Sequence, residues 1–185
     1  VKEIKIFWGE DFIITIGSAH WVIRDLFEEL RRQISDGNIE EDLPSSDKLL
    51  YRILESLMKE TQVILQRTDT EIDLISKEMF SRNAEKIIEK ISITRKNVIL
   101  LNTTFKPQLR LFHKFESGEV KGFVEDMEEY WGNILDYYQK NWDMIEDDGE
   151  LLEGLSKTFD SMQANRTNEI MKMLTFISTT LLPLT

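Results

Sequence analysis

The sequence predicts a mainly α-helical chain with one small β element: a hairpin followed by one short and three long helices, the last a very long one. Three observations predict it. Strand-like alternation is confined to the first 17 residues. Beyond them, apolar residues recur at spacings of three and four, the period of one face of a helix. With only 8 Gly and 3 Pro in 185 residues, the chain also lacks the turn residues that a β-sandwich or barrel needs.

In the hairpin, Ile4, Ile6 and Trp8 alternate with charged or aromatic neighbours, and Phe12, Ile13, Ile14, Thr15 and Ile16 form a second β-prone run. Gly9-Glu10 fits a two-residue turn with glycine first. A lone hairpin is marginally stable in water. With no further strand in sight, it is expected to be the edge of a sheet whose remainder lies upstream of Val1.

The first helix is expected over 18–35, on a stripe of Trp21, Val22, Leu26, Leu30 and Ile34, with Asp36-Gly37-Asn38 as its stop. After Pro44, a long helix opens at Ser45-Ser46. Its stripe runs Leu50, Leu54, Leu57, Thr61, Ile64, Thr68, Ile72, Ile75, Met79. A third helix from Asn83 carries Ile87, Ile91, Val98, Leu101, Phe105, Leu109 and Phe112. Pro107 lies inside it and should kink rather than end it, because the stripe resumes in phase.

Ser117-Gly118 is the last break. From Glu119 to Leu182 there are only single glycines, which weaken a helix without ending it. Tyr138, Ile145, Leu152 and Phe159 repeat at heptad spacing, with Ile134, Leu155 and Met162 at complementary positions and Asn141 and Asp148 interrupting the seam. A helix of that extent is about 100 Å long and must project from a compact body. The expected organisation is 1–44, the end of an α/β domain; 45–117, two long antiparallel helices; and 118–185, a stalk helix. Residues 173–185 carry no charge. They fall short of the roughly 20 apolar residues of a membrane span. Either they form a buried terminal helix or they begin a transmembrane helix. The fading of the amphipathic rhythm favours the second.

Charge and composition narrow the function. There is no Cys, which removes disulfides, thiolate metal sites and thiol nucleophiles. With 23 Lys+Arg against 34 Asp+Glu, the formal charge of -11 opposes phosphate backbones, so nucleic acid is not an expected partner. Eleven acids and one base, Lys140, lie between Glu125 and Glu153, concentrating nearly all of that charge. Such a stretch is either a solvated helical face or a surface that gathers cations. Asp143/Asp147 and Glu146/Glu150 fall at i,i+4, a spacing that suits a hydrated Mg2+ ion as well as plain solvent-facing acids. His20 and His113 stand in no ligand spacing, and neither a phosphate loop nor a nucleophile elbow is present. The chain is therefore not expected to be an enzyme.

The residues Asn165-Arg166-Thr167-Asn168-Glu169-Ile170-Met171-Lys172-Met173-Leu174-Thr175, followed by Leu182-Pro183-Leu184-Thr185, resemble the approach to the first transmembrane helix of the CorA-type magnesium/cobalt transporters. Leu49-Leu50-Tyr51, Glu71-Ile72-Asp73, Pro107 and Gly154-Leu155 extend the resemblance along the chain. It implies a homopentamer in the plasma membrane, with this segment on the cytoplasmic side and Mg2+ or Co2+ as the transported and regulatory ion. Asn168, Met171 and Leu174 would then face the pore. Asn168 would offer its amide to a hydrated cation, and Met171 and Leu174 would form a hydrophobic constriction. Cations bound between acidic stalks would control gating, with Asp143, Glu146, Asp147, Glu150 and Asp160 as candidate ligands.

Two departures accompany the resemblance. The external Gly-Met-Asn motif and second membrane helix are missing, as expected of a portion cut at both ends. Lys157 stands where ion-sensing members place an acid, and Asp160 lies one turn further on. The alternatives are a ZntB-type zinc transporter and a helical interaction protein without transport activity.

Overall fold

A computed structural model describes residues 3–17, 21–35, 45–80, 83–120 and 127–182. Strands β1 (Ile4–Gly9) and β2 (Phe12–Gly17) are followed by helices α1 (Trp21–Ser35), α2 (Ser46–Glu78), α3 (Ala84–Glu116) and α4 (Glu128–Leu181). The mainly helical class with an N-terminal hairpin is thus the observed one. His20, the 36–38 stop, Pro44, Glu125, Asp126 and 183–185 lie outside the described residues.

The two strands pair antiparallel, with Ile6 opposite Thr15, Trp8 opposite Ile13 and Gly9 opposite Phe12. That register moves the turn one residue on from expectation, to Glu10-Asp11. Gly9 is needed for space instead: a Cβ there would lie 2.4 Å from the Phe12 ring. Ile4, Ile6, Trp8, Ile13 and Thr15 share the half-buried face, while Phe7, Phe12, Ile14 and Ile16 are exposed on the other.

Helix starts follow local chemistry. The Ser45 hydroxyl accepts from the Lys48 N–H at 3.4 Å, and Asn83 Oδ1 accepts from the Lys86 N–H at 3.2 Å, each capping an otherwise unpaired donor. Gly118, at φ 72°, turns the chain after α3. The Val120 N–H donates to the Lys114 carbonyl at 3.1 Å. Glu119 and Val120 are therefore bent, and α4 starts at Glu128 rather than Glu119.

The chain forms two compact units, and α2, α3 and α4 each contribute to both. The first comprises Val1–Arg67 and Leu100–Ile145. Leu50, Met127 and Trp131 are buried at one centre, with Ile6, Trp8, Ile13, Tyr51, Leu54, Phe115 and Tyr130 packed on it. The ring of Trp131 lies 4.8 Å from Phe115 and 6.3 Å from Trp8, centroid to centroid. The Ser46 hydroxyl donates to the Glu10 carbonyl at 2.7 Å, tying the hairpin turn to the start of α2. These contacts cover the inner hairpin face, as a hairpin requires. In α1, Val22 and Ile23 are buried, while Trp21 and Ile34 of the expected stripe are largely exposed.

Stripe positions in α2 are corrected. Ile53 and Met58 are buried while Leu54 and Leu57 of the expected stripe are half-buried, and Ile64 is 45% exposed while Leu65 is fully buried. Both Thr61-Ile64-Thr68 and Thr61-Leu65-Thr68 span seven residues, so spacing alone could not choose between them. Elsewhere in this unit, Tyr138 packs between Phe105 (5.0 Å) and Phe112 (4.5 Å). Its buried hydroxyl donates to Gln108 Oε1, and burial pushes the phenol well above its usual pKa. Tyr138→Phe is expected to lower stability by about 0.5–1.5 kcal/mol, nearer the low end, because exposed Gln108 can turn to water. Urea titration of the two proteins measures it; a loss above that range would mean the hydroxyl has a larger role.

The second unit comprises Thr68–Ile99 and Glu146–Thr185. Its buried residues are Thr68, Ile72 and Ile75 of α2, Met79 just after it, Ile87, Ile91, Thr94 and Val98 of α3, and Asp148, Leu152 and Phe159 of α4. Thr94 fills the gap between Ile91 and Val98 in the expected stripe. At the turn between α2 and α3, Lys90 Nζ meets Glu78 Oε2 at 2.6 Å, and this bond holds the Glu78 carboxyl below its usual pKa.

Candidate functional site

The residues that carry the resemblance lie on the C-terminal part of α4, in the second unit. Successive steps of three place Asn168, Met171 and Leu174 within an arc of about 120° on one side of the helix. All three are exposed, Met171 at 59% and Leu174 at 54%. Asn165, Asn168, Met171 and Lys172 line a shallow open concavity with Thr175 and Phe176.

Apolar exposure continues all round the helix. Ile170, Met173, Phe176, Ile177, Leu181 and Leu182 are uncovered, Phe176 to 71% and Leu182 to 77%. This overturns the reading of the tail as a buried terminal helix: 168–182 has no cover from the described chain. The Thr175, Thr179 and Thr180 hydroxyls donate to the carbonyls of Met171, Thr175 and Phe176, at 2.8, 2.8 and 2.9 Å. Hydroxyls satisfied within their own helix need no water, so the segment suits an apolar environment. Among the described residues, no helix is long and apolar enough to cross a membrane.

Upstream on the same helix, Asp143, Glu146, Asp147, Glu150 and Asp160 are exposed. Asp143 accepts from Gln139 Nε2 at 3.0 Å. Among the described residues, no group of three or more His, Asp or Glu side chains is placed to hold a metal ion. The i,i+4 acids thus present charge along a helix without converging on a third such ligand among the described residues. Lys157 pairs with Glu153 of its own helix at 2.6 Å, and this bond holds the Glu153 carboxyl below its usual pKa.

Asp148 differs from its neighbours. It is 4% exposed, and its Oδ2 has no hydrogen-bond partner. Burial, with Asp69 and Asp147 nearby, pushes its pKa up to about 6. In the first unit, Asn141 is fully buried with both side-chain polar atoms unpartnered. The heptad pattern identified both as interruptions of the seam, but only packing shows that both are buried and which of their polar atoms lack partners.

The whole chain, residues 1–185, matches the family described as CorA-like Mg2+ transporter protein, and the chain belongs to that family. This is a family of transporters, not enzymes. The chain is 26% identical over 163 residues to the cobalt/magnesium transport protein CorA of Thermotoga maritima, covering 88% of this chain and 46% of that protein. It is 21% identical over 192 residues to the putative metal ion transporter YfjQ of Bacillus subtilis, covering 100% of this chain and 56% of that protein. The chain thus spans about half the length of these relatives. Two solved structures share its fold. The full-length CmaX protein matches 99% of this chain and 54% of its own at a TM-score of 0.82 and 16% identity. The CorA magnesium transporter of Methanocaldococcus jannaschii matches 97% of this chain and 60% of its own at 0.73 and 17% identity.

Proposed function

We propose that this chain is the cytoplasmic and stalk portion of a homopentameric divalent-cation channel in the plasma membrane, passing Mg2+ or Co2+. The observation that carries this reading is the exposed, uncharged end of α4, reached directly from Asn168, Met171 and Leu174. In a fivefold assembly, those three side chains face the axis. Asn168 offers its amide to a hydrated cation, and Met171 and Leu174 close the path by excluding water. Acids exposed along α4, Asp143, Glu146, Asp147, Glu150 and Asp160, draw cations between neighbouring stalks. A bound ion screens the repulsion between stalks and favours the closed arrangement, and ion loss favours the open one. The exposed outer face of the hairpin, with Phe7, Phe12, Ile14 and Ile16, continues an α/β domain that includes residues 1–44.

Uptake of Mg2+ and Co2+ into liposomes by the whole transporter tests this reading. Met171→Ala combined with Leu174→Ala is expected to raise flux under closing, high-Mg2+ conditions by about tenfold or more, because the dewetting side chains are gone. No flux above protein-free vesicles would refute transport. Unaltered flux in the double variant would remove these residues from the constriction.

A further inference from the structure

Asp148 is placed poorly for a helix that only has to stay packed. It occupies a buried position of the second unit beside Leu152, where an aliphatic side chain would continue the apolar seam. Its Oδ2 is buried without a partner. The charged groups acting on it are Asp69 from α2 and Asp147 from its own helix, both of its own sign. From α3, Arg95 acts on Glu153 instead, and Val98 offers only a methyl, 3.7 Å from where a Cβ on Gly149 would lie. A desolvated carboxylate with no counter-charge weakens the packing around it.

We infer that Asp148 is a release point: it keeps the 146–181 part of α4 only weakly held against 68–78 of α2 and 84–99 of α3, so that this part of the helix separates before the rest of the core. Opening of this kind is local, at a free energy well below that of global unfolding. The Asn168–Leu174 region lies on the same helical segment, so release frees it to move. That consequence for ion passage rests on the function proposed above; the opening itself does not.

Amide hydrogen exchange on the 185-residue chain at pH 7.5 tests the inference, comparing the native sequence with Asp148→Leu and Asp148→Asn. Amides of residues 149–159 are expected to exchange about tenfold more slowly in Asp148→Leu, with those of 50–58 unchanged. If Asp148→Leu does not fold, the isosteric Asp148→Asn carries the test, with an expected slowing of about fivefold or more. Unchanged or faster exchange in the folded variants would overturn the inference, because Asp148 would then anchor the seam through a bound water or ion. A second arm measures flux by the whole transporter, which is expected to fall severalfold in Asp148→Leu. Slower exchange with undiminished flux in a conducting protein would overturn the link between release and ion passage. Absence of flux in the native protein would sink the transport reading and leave the exchange result standing.

Discussion

Replacing Trp131 by alanine is expected to lower the stability of the unit that holds the hairpin by about 3–5 kcal/mol. Trp131 is 4% exposed and centres a cluster with Leu50 and Met127. Its indole contacts both Phe115 of α3 and Trp8 of β1. Alanine would leave a cavity bordered by rigid rings that cannot close over it, so both transfer and cavity terms count. Trp8 ties the hairpin to this cluster through its ring contacts with Phe115 and Trp131, so the hairpin should loosen first. Urea unfolding followed by near-ultraviolet circular dichroism measures the loss. A change below about 1 kcal/mol would show that the cluster collapses around the gap or that the hairpin is held elsewhere.

The second large effect depends on pH. Burial, together with Asp69 and Asp147, raises the pKa of the Asp148 carboxyl from its ordinary value of 3.8 to about 6. A raised folded-state pKa means that the folded chain holds the proton more tightly than the unfolded chain does. The resulting stabilisation is complete below about pH 3.8 and is lost as pH rises through 6. Above that pH the folded chain carries a buried, ionised carboxylate. Asp148→Asn, neutral throughout, is therefore expected to be more stable than the native sequence by about 1–3 kcal/mol at pH 7.5 and no more stable at pH 3.5. Thermal melts of both proteins at the two pH values provide the check, since contributions from other acids cancel in the comparison. An equal difference in Tm at both pH values would mean that Asp148 does not titrate in this window.

Much of the architecture was legible because its causes are local. The 3–4 spacing of Ile72, Ile75 and Met79 marks a buried helix face wherever it occurs, and the Ser45 and Asn83 side chains cap the helices that follow them. Pro107 sits inside α3, as the resumed stripe implied. The misses share a different cause. Leu65 replaced Ile64 because two adjacent residues both complete a seven-residue step, and only the neighbouring helices decide which one is covered. The hairpin turn moved to Glu10-Asp11 because cross-strand register is a long-range pairing. The left-handed Gly118 and the hydrogen bonds around it end α3, and α4 starts only at Glu128.

The candidate site divides in the same way. Asn168, Met171 and Leu174 were singled out by the resemblance, whereas the uncharged run 173–185 could be read from residue order alone, since charge and hydropathy are properties of the chain. The sequence therefore determined the helical class, the acidic stretch along α4 and the resemblance that the family match later confirmed. Tertiary structure decided which polar groups lose their water. Asp147 and Asp148 are adjacent and chemically identical, yet one is exposed and the other is buried, with its Oδ2 lacking a hydrogen-bond partner. Consecutive residues on a helix point about 100° apart, and only the packing of α2 and α3 determines which of those directions is the interior.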